Sequence, residues 1–101
     1  IGYFTKHGDD GLDMAPIARL TKGEVRDMAV YLGVPDRIVN RIPSAGLWEG
    51  QTDESEMGIT YEDLDNYLLG KEVPPDVSAL IERKHRQSEH KRRTPPIPDE
   101  F

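Results

Sequence analysis

A chain of 101 residues, 36% hydrophobic and 32% charged, has room for one small domain and too little for an ordinary two-domain enzyme, and its 8 prolines and 9 glycines argue against a large self-contained core. The absence of cysteine excludes a disulfide framework and a thiol nucleophile. No run approaches the roughly 18–20 apolar residues that a spanning helix needs, so the expectation is a soluble, cytoplasmic protein with no membrane partner.

The formal charge of −6 is unevenly spread. Ile1 to Glu82 carries 16 acids against 7 bases, while Arg83 to Arg93, RKHRQSEHKRR, carries 6 bases against one acid. A nucleic-acid contact needs several Lys or Arg to displace counterions. The stretch lacks aromatic stacking platforms and the body beside it is acidic, so a local anion site or a solvated helix end fits better, with no nucleic-acid partner expected.

In chain order, the first 19 residues alternate apolar clusters (Tyr3 and Phe4, then Met14, Ala15 and Ile17) with a polar loop from His7 to Asp13. This reads as a strand end or an active-loop segment of a larger sheet. Thr21 followed by Glu24 predicts a capping box opening a helix with Val25, Met28, Ala29 and Leu32 on one face. Gly33 and Pro35 stop it near Leu32. A short helical turn follows from Pro35 to Val39, with Asp36 near its positive end. Residues 42–58 show no sustained period and read as a long loop, of the kind that is usually functional or disordered. Thr60 caps a helix through Leu69 that buries Tyr61, Leu64 and Leu68, and Gly70 closes it. Pro75 and Asp76 open a last helix with Val77, Leu80, Ile81 and Lys84 on one side, and the tail after Thr94, PPIPDEF, cannot continue it. The outcome is three or four helices, two long polar loops and almost no strand. Such a piece buries little area alone, so its apolar faces are expected to rest on a sheet or partner chain outside these residues.

Several residues could carry chemistry, each with a plainer reading beside it. Lys6, His7, Asp9, Asp10 and Asp13 share one glycine-containing loop. Lys6 can pair an anion and Asp13 can accept from a hydroxyl or amide, or the loop is a solvated turn. Thr21 and Lys22 sit where free helix N–H groups and a lysine can converge on phosphate, unless Thr21 is only a cap. Ser44, between Pro43 and Ala45, can hydrogen-bond a ligand but has no histidine placed in sequence to make it a nucleophile. Trp48 is either a core plug, the favoured reading, or the cover of a planar ring. His90 with Lys91 can contact a carboxylate or ribose, whereas His85 and its flanking arginines read as helix surface. Asp53, Glu54 and Glu56 are either ligands for a divalent ion or an acidic loop in water.

The order of these segments carries a resemblance. GYFTK-x-GD, then APIARLTKGEVRDMAVYLGVP, then PSAGLWEGQTDESEMGITYEDLDNYL, then SEHKRR, resembles the C-terminal part of ammonia-dependent NAD(+) synthetases, from Gly2 to about Pro96. The resemblance implies that residues 1–101 are the C-terminal part of a single synthetase domain, in which the full-length protein is a doubly wound parallel α/β sheet of the adenine-nucleotide pyrophosphatase type and a tight homodimer, while this segment is mostly helical with long loops. It also implies that the phosphate-loop half lies outside the chain, with its SGGxDS loop and the magnesium-binding aspartate and glutamate. The implied reaction is adenylation of the nicotinate carboxylate of deamido-NAD by ATP, followed by displacement of AMP by ammonia, with ATP and Mg2+ required. By motif match Lys6, Asp13, His90 and Lys91 contact deamido-NAD, His90 and Lys91 reaching across the dimer, and Lys22 and Ser44 contact ATP. No catalytic or metal-ligating residue is assigned within the chain, and the isolated segment is expected to be inactive. His7 stands at a variable position and receives no role. Free ammonia is the expected nitrogen source, with a glutaminase domain upstream or on a partner left open. The rival from another class is a small helical interaction or structural module derived from this segment.

Overall fold

The structure, a computed structural model, describes residues 1–100. Five α-helices follow one another: α1 (Lys22–Tyr31), α2 (Asp36–Val39), α3 (Asp53–Met57), α4 (Tyr61–Leu68) and α5 (Pro75–Gln87), with a 3-10 turn over Glu89–Lys91. Among the described residues there is no strand, and the segment is mostly helical with long loops. The first 19 residues run through turns, with Gly8 N–H donating to the Thr5 carbonyl at 3.0 Å and Ala18 to Ala15 at 3.2 Å. Among the described residues this stretch is therefore a loop rather than a strand.

Local sequence explains where α1 and α4 start and stop. Thr21 Oγ1 accepts from Glu24 N–H at 3.3 Å while Glu24 Oε2 accepts from Thr21 N–H at 2.7 Å, the reciprocal box that the spacing predicts. Gly33, at φ +76°, lets Val34 N–H reach back to the Ala29 carbonyl at 2.9 Å and so satisfies the open end of α1. Gly70 at φ +73° does the same for α4, through Lys71 N–H to the Asn66 carbonyl at 2.8 Å.

Two expectations fail locally. Residues 42–58 are not one continuous loop, because Thr52 Oγ1 caps α3 by accepting from Ser55 N–H at 3.1 Å and Gly58 closes it in the left-handed conformation. A helix of five residues is too short to show a 3.6-residue period, so only its cap and its glycine announce it. Leu68 is 63% exposed rather than buried. The inward stripe of α4 is Tyr61, Leu64 and Tyr67, an i, i+3, i+6 spacing that turns Leu68 outward.

The core is small. Met57, Ile59 and Ile81 are the buried hydrophobic residues among those described, with Ile1, Tyr61, Leu64, Tyr67, Val77 and Leu80 packed partly around them. It joins α3, α4 and one face of α5. α1 lies outside it: Val25 and Ala29 are half-buried, and the other two residues of the expected face, Met28 and Leu32, are exposed. Trp48 is 57% exposed, so the core-plug reading does not hold. The Cα radius of gyration is 16.2 Å, above the ~13 Å of a compact chain of this length, which fits a layer of helices presenting apolar side chains outward.

Candidate functional site

Two concavities flank the packed helices. The larger is a groove between α1, α2, the Asn40–Ser44 segment and α4, with a volume of about 1180 Å³. Closed ligand pockets usually enclose ~300–1,000 Å³, so this is an open trough rather than a sealed site. Lys22 and Ser44 both line it. Both are exposed: the Lys22 ammonium lies 5.1 Å from the centroid of the Tyr61 ring, a cation–π distance that holds the amine at the groove wall. Ser44 Oγ accepts from Gly46 N–H at 3.0 Å, which leaves its hydroxyl proton free to donate.

The N-terminus of α1 does not present free amides to this groove. Asp65 of α4 takes them, its Oδ1 accepting from Lys22 N–H at 3.2 Å and its Oδ2 from Gly23 N–H at 2.7 Å. A carboxylate therefore stands where the sequence suggested a phosphate could bind the backbone, and the positive end of the helix is satisfied internally. Lys22 can act on an anion only through its side chain.

The smaller depression, about 410 Å³, is lined by Phe4, Lys6, His7, Asp10, Lys91 and Arg92 among others. It brings Lys6 and Lys91 together from opposite ends of the chain. Asp13 and His90 are exposed and do not line it. Lys91 is already engaged: its ammonium donates to the Gly2 and Phe4 carbonyls, each at 2.7 Å, and lies 5.3 Å from the Phe4 ring centroid. One donor of the three remains for a ligand. His7 Nδ1 is paired with Asp10 at 2.8 Å on the rim.

The basic stretch is partly neutralised from within. Arg92 and Arg93 both bind Glu89, at 2.6 and 3.1 Å, and these hydrogen bonds hold the Glu89 carboxyl below the usual range. Arg92 also donates to Ser88 Oγ at 3.0 Å and to the His85 carbonyl at 2.6 Å. Part of what reads as a nucleic-acid footprint is thus the C-terminal closure of α5.

Sequence reasoning missed a network between the two concavities. The Tyr3 hydroxyl donates to Glu56 and also lies 3.3 Å from Asp53 Oδ1, and the Tyr61 hydroxyl donates to Asp53 Oδ2 at 2.7 Å. Gln51, buried at 6% exposure, donates to Glu56 at 2.9 Å and accepts from Leu47 N–H at 2.6 Å. Both phenols are pushed well above their ordinary range, Tyr3 mainly by its hydrogen bond to Glu56 and Tyr61 mainly by burial with Asp53 adding to it, so both stay protonated donors. Asp53 and Glu56 are consequently neither a bare acidic loop nor an ion cage. Among the described residues no group of three or more His, Asp or Glu is placed to hold a metal ion. Nothing in the sequence pairs Tyr3 with residues fifty or more positions away, and only the fold reveals it.

Against known proteins, residues 1–95 match the NAD synthase family model. The chain belongs to the NAD synthase family. It is 61% identical over 98 residues to the NH(3)-dependent NAD(+) synthetase of Alkaliphilus metalliredigens and 55% identical over 98 residues to that of Carboxydothermus hydrogenoformans, in each case covering 97% of this chain and 40% of the relative. A solved structure of NMN synthetase from Francisella tularensis superposes with a TM-score of 0.87 at 46% identity, covering 97% of this chain and 41% of that one. The NAD synthase segment therefore spans about 40% of the length of the curated relatives it matches.

Proposed function

We propose that this chain is the C-terminal part of a doubly wound α/β, homodimeric, cytoplasmic NAD synthetase. The reaction is amidation of deamido-NAD with ammonia at the expense of ATP. The observation that carries the reading is the convergence of Lys22 and Ser44 on one open groove in a chain of this family. The groove takes ATP, with the Lys22 ammonium against the phosphates and the Ser44 hydroxyl donating to the nucleotide. The smaller depression takes the anionic part of deamido-NAD on Lys6 and the remaining Lys91 donor, with Asp13 and His90 closing on the dinucleotide from the exposed loops beside it.

The chemistry follows from the weakness of a carboxylate as an electrophile. The nicotinate carboxylate oxygen attacks the α-phosphorus of ATP, the bond to pyrophosphate breaks, and an acyl-adenylate forms. Ammonia then attacks the carbonyl carbon, the bond to AMP breaks, and the nitrogen loses a proton to solvent to leave the carboxamide. Lys22 offsets phosphate charge as it moves toward the leaving pyrophosphate. The residues of this chain do not fit a magnesium site, since the clustered carboxylates Asp53 and Glu56 are held by Tyr3, Tyr61 and Gln51. The ion's protein ligands are accordingly assigned to the remainder of the enzyme, and no step is routed through it. With that remainder absent, the isolated segment is expected to be inactive.

The Francisella structure supports a second reading, in which the product is the mononucleotide NMN. The carboxylate chemistry is the same and only the far half of the substrate differs. The test is the full-length protein assayed with ATP, ammonia and either deamido-NAD or the nicotinate mononucleotide. The expected result is a higher kcat/KM for the dinucleotide. A preference for the mononucleotide transfers the assignment to the second reading, and turnover of neither overturns both. In the same assay Lys22→Ala is expected to raise the KM for ATP about tenfold or more, the loss of one charge-assisted contact.

A further inference from the structure

Asp53 of α3 lines the larger groove, and the hydrogen bonds of Asp53 and Glu56 run both to residues of that groove and to the segment beside the smaller depression. On one side Tyr3 belongs to the same short segment as Phe4 and Lys6, which line the smaller depression, and Lys91 clamps that segment through the Gly2 and Phe4 carbonyls. On the other side Asp53 accepts from Tyr61, whose ring lies under the Lys22 ammonium. Glu56 holds Gln51, whose side chain in turn fixes Leu47 N–H and so shapes the loop that begins at Ser44. Tyr3 itself does not line the larger groove. Gln51 is buried and fully satisfied, so the loop conformation depends on where Glu56 sits.

We propose that Tyr3 is a positioning residue for the nucleotide side of the site: by donating to Glu56 and Asp53 it locks α3, and through α3 the loop from Ser44 to Gln51 and the Tyr61 support of Lys22, in register with the segment that carries Lys6. This rests on the assignment of the larger groove to ATP. Removing the phenolic oxygen leaves the ring and the Lys6 segment in place but leaves Glu56 held by Gln51 alone, so the loop carrying Ser44 loses one of its ties and keeps that of the Pro43 carbonyl to Asp53 N–H at 2.9 Å.

The test uses the full-length synthetase with Tyr3→Phe, and Tyr67→Phe as a control that removes a hydroxyl donating to Glu82 at 3.4 Å on another face. Tyr3→Phe is expected to raise the KM for ATP at least threefold, to change the KM for deamido-NAD less, and to speed hydrogen exchange at the Leu47 amide, while Tyr67→Phe changes none of these. An unchanged KM for ATP overturns the proposal and leaves Tyr3 a structural tie. A raised KM with the Leu47 amide as protected as in the parent also overturns it, because the loop is then not the route. If Lys22→Ala and Ser44→Ala themselves leave the KM for ATP unchanged, the assignment of the groove fails instead, and the faster exchange in Tyr3→Phe remains to be read by itself: seen, it supports the tie between Tyr3 and the loop, and unseen, it overturns that too.

Discussion

Gly2 shows how one backbone position ties the two ends of the chain. Its φ of +79° is one that only glycine adopts without strain, and a Cβ built on it would stand 2.1 Å from Ser88 Cβ. Ser88 cannot retreat, because its hydroxyl donates to the Lys84 carbonyl at 2.8 Å and accepts from Arg92. Gly2→Ala is therefore expected to lower stability by about 1–3 kcal/mol, the range for overpacking a filled site, read as a shift in the denaturant midpoint of the full-length protein. The two shifted tyrosines give a second prediction at this scale. Their folded values lie above the ordinary phenol value of 10.0, so their contribution to stability is complete below pH 10 and is lost only as pH rises beyond it. Absorbance titration at 295 nm should show a fraction of the tyrosines ionising late, and Tyr3→Phe and Tyr61→Phe should each remove part of that late fraction. Tyr3, Asp53, Glu56 and Tyr61 were all visible as side chains in the sequence, but their partnership was not, since hydrogen bonds between residues some fifty positions apart leave no local pattern.

At the scale of elements, the caps decide what is legible. α1 and α4 follow from Thr21 with Glu24 and from Thr60, and each ends on its glycine. α3 escaped because five residues give no period, although Thr52 and Gly58 mark its ends. Thr52→Ala is expected to cost about 1 kcal/mol, the usual worth of an N-cap, and to speed exchange at the Ser55 amide, whose acceptor it removes. The contact between α1 and α4 was not foreseeable, because it depends on Asp65 reaching the first turn of another helix. Asp65→Ala leaves two amides of that turn with no protein acceptor and is expected to lower stability by about 1–2 kcal/mol, with Asp65→Asn losing less. The same contact bears on the proposed role of Lys22: with the helix N-terminus occupied by a carboxylate, the ammonium is the group of Lys22 left to act on an anion.

For the molecule as a whole, the exposed apolar side chains carry the prediction. Met14, Tyr31, Leu32, Ile42, Leu47 and Ile97 are each more than 65% exposed, and only three hydrophobic residues are buried among those described. Exposed apolar side chains in that number favour association with another surface. The 101-residue chain by itself is expected to bind a hydrophobic dye such as ANS and to self-associate, whereas the full-length protein should bind the dye several-fold less. Equal dye binding by the two would show that these side chains stay exposed in the larger protein. The small core and the absence of strand among the described residues were foreseeable from composition and helical spacing. The exposure of Leu68 was not, because helical spacing defines a stripe but not which edge of it meets a neighbour, nor was that of Trp48, which lies in a loop where no spacing sets a direction.

The sequence by itself determined the family resemblance, the ends of α1 and α4 and the start of α5, because caps, glycine stops and motif order are local properties of the chain, whereas the end of α5 at Gln87 was not marked. Only the tertiary structure decided which of the candidate residues share a concavity. It joined Lys22 to Ser44 and Lys6 to Lys91, left Asp13 and His90 apart, filled the start of α1 with Asp65, and set Tyr3 between the two concavities. The physical reason is that these relations depend on packing and on hydrogen bonds between distant segments, which are specified by the folded arrangement and by no spacing along the chain.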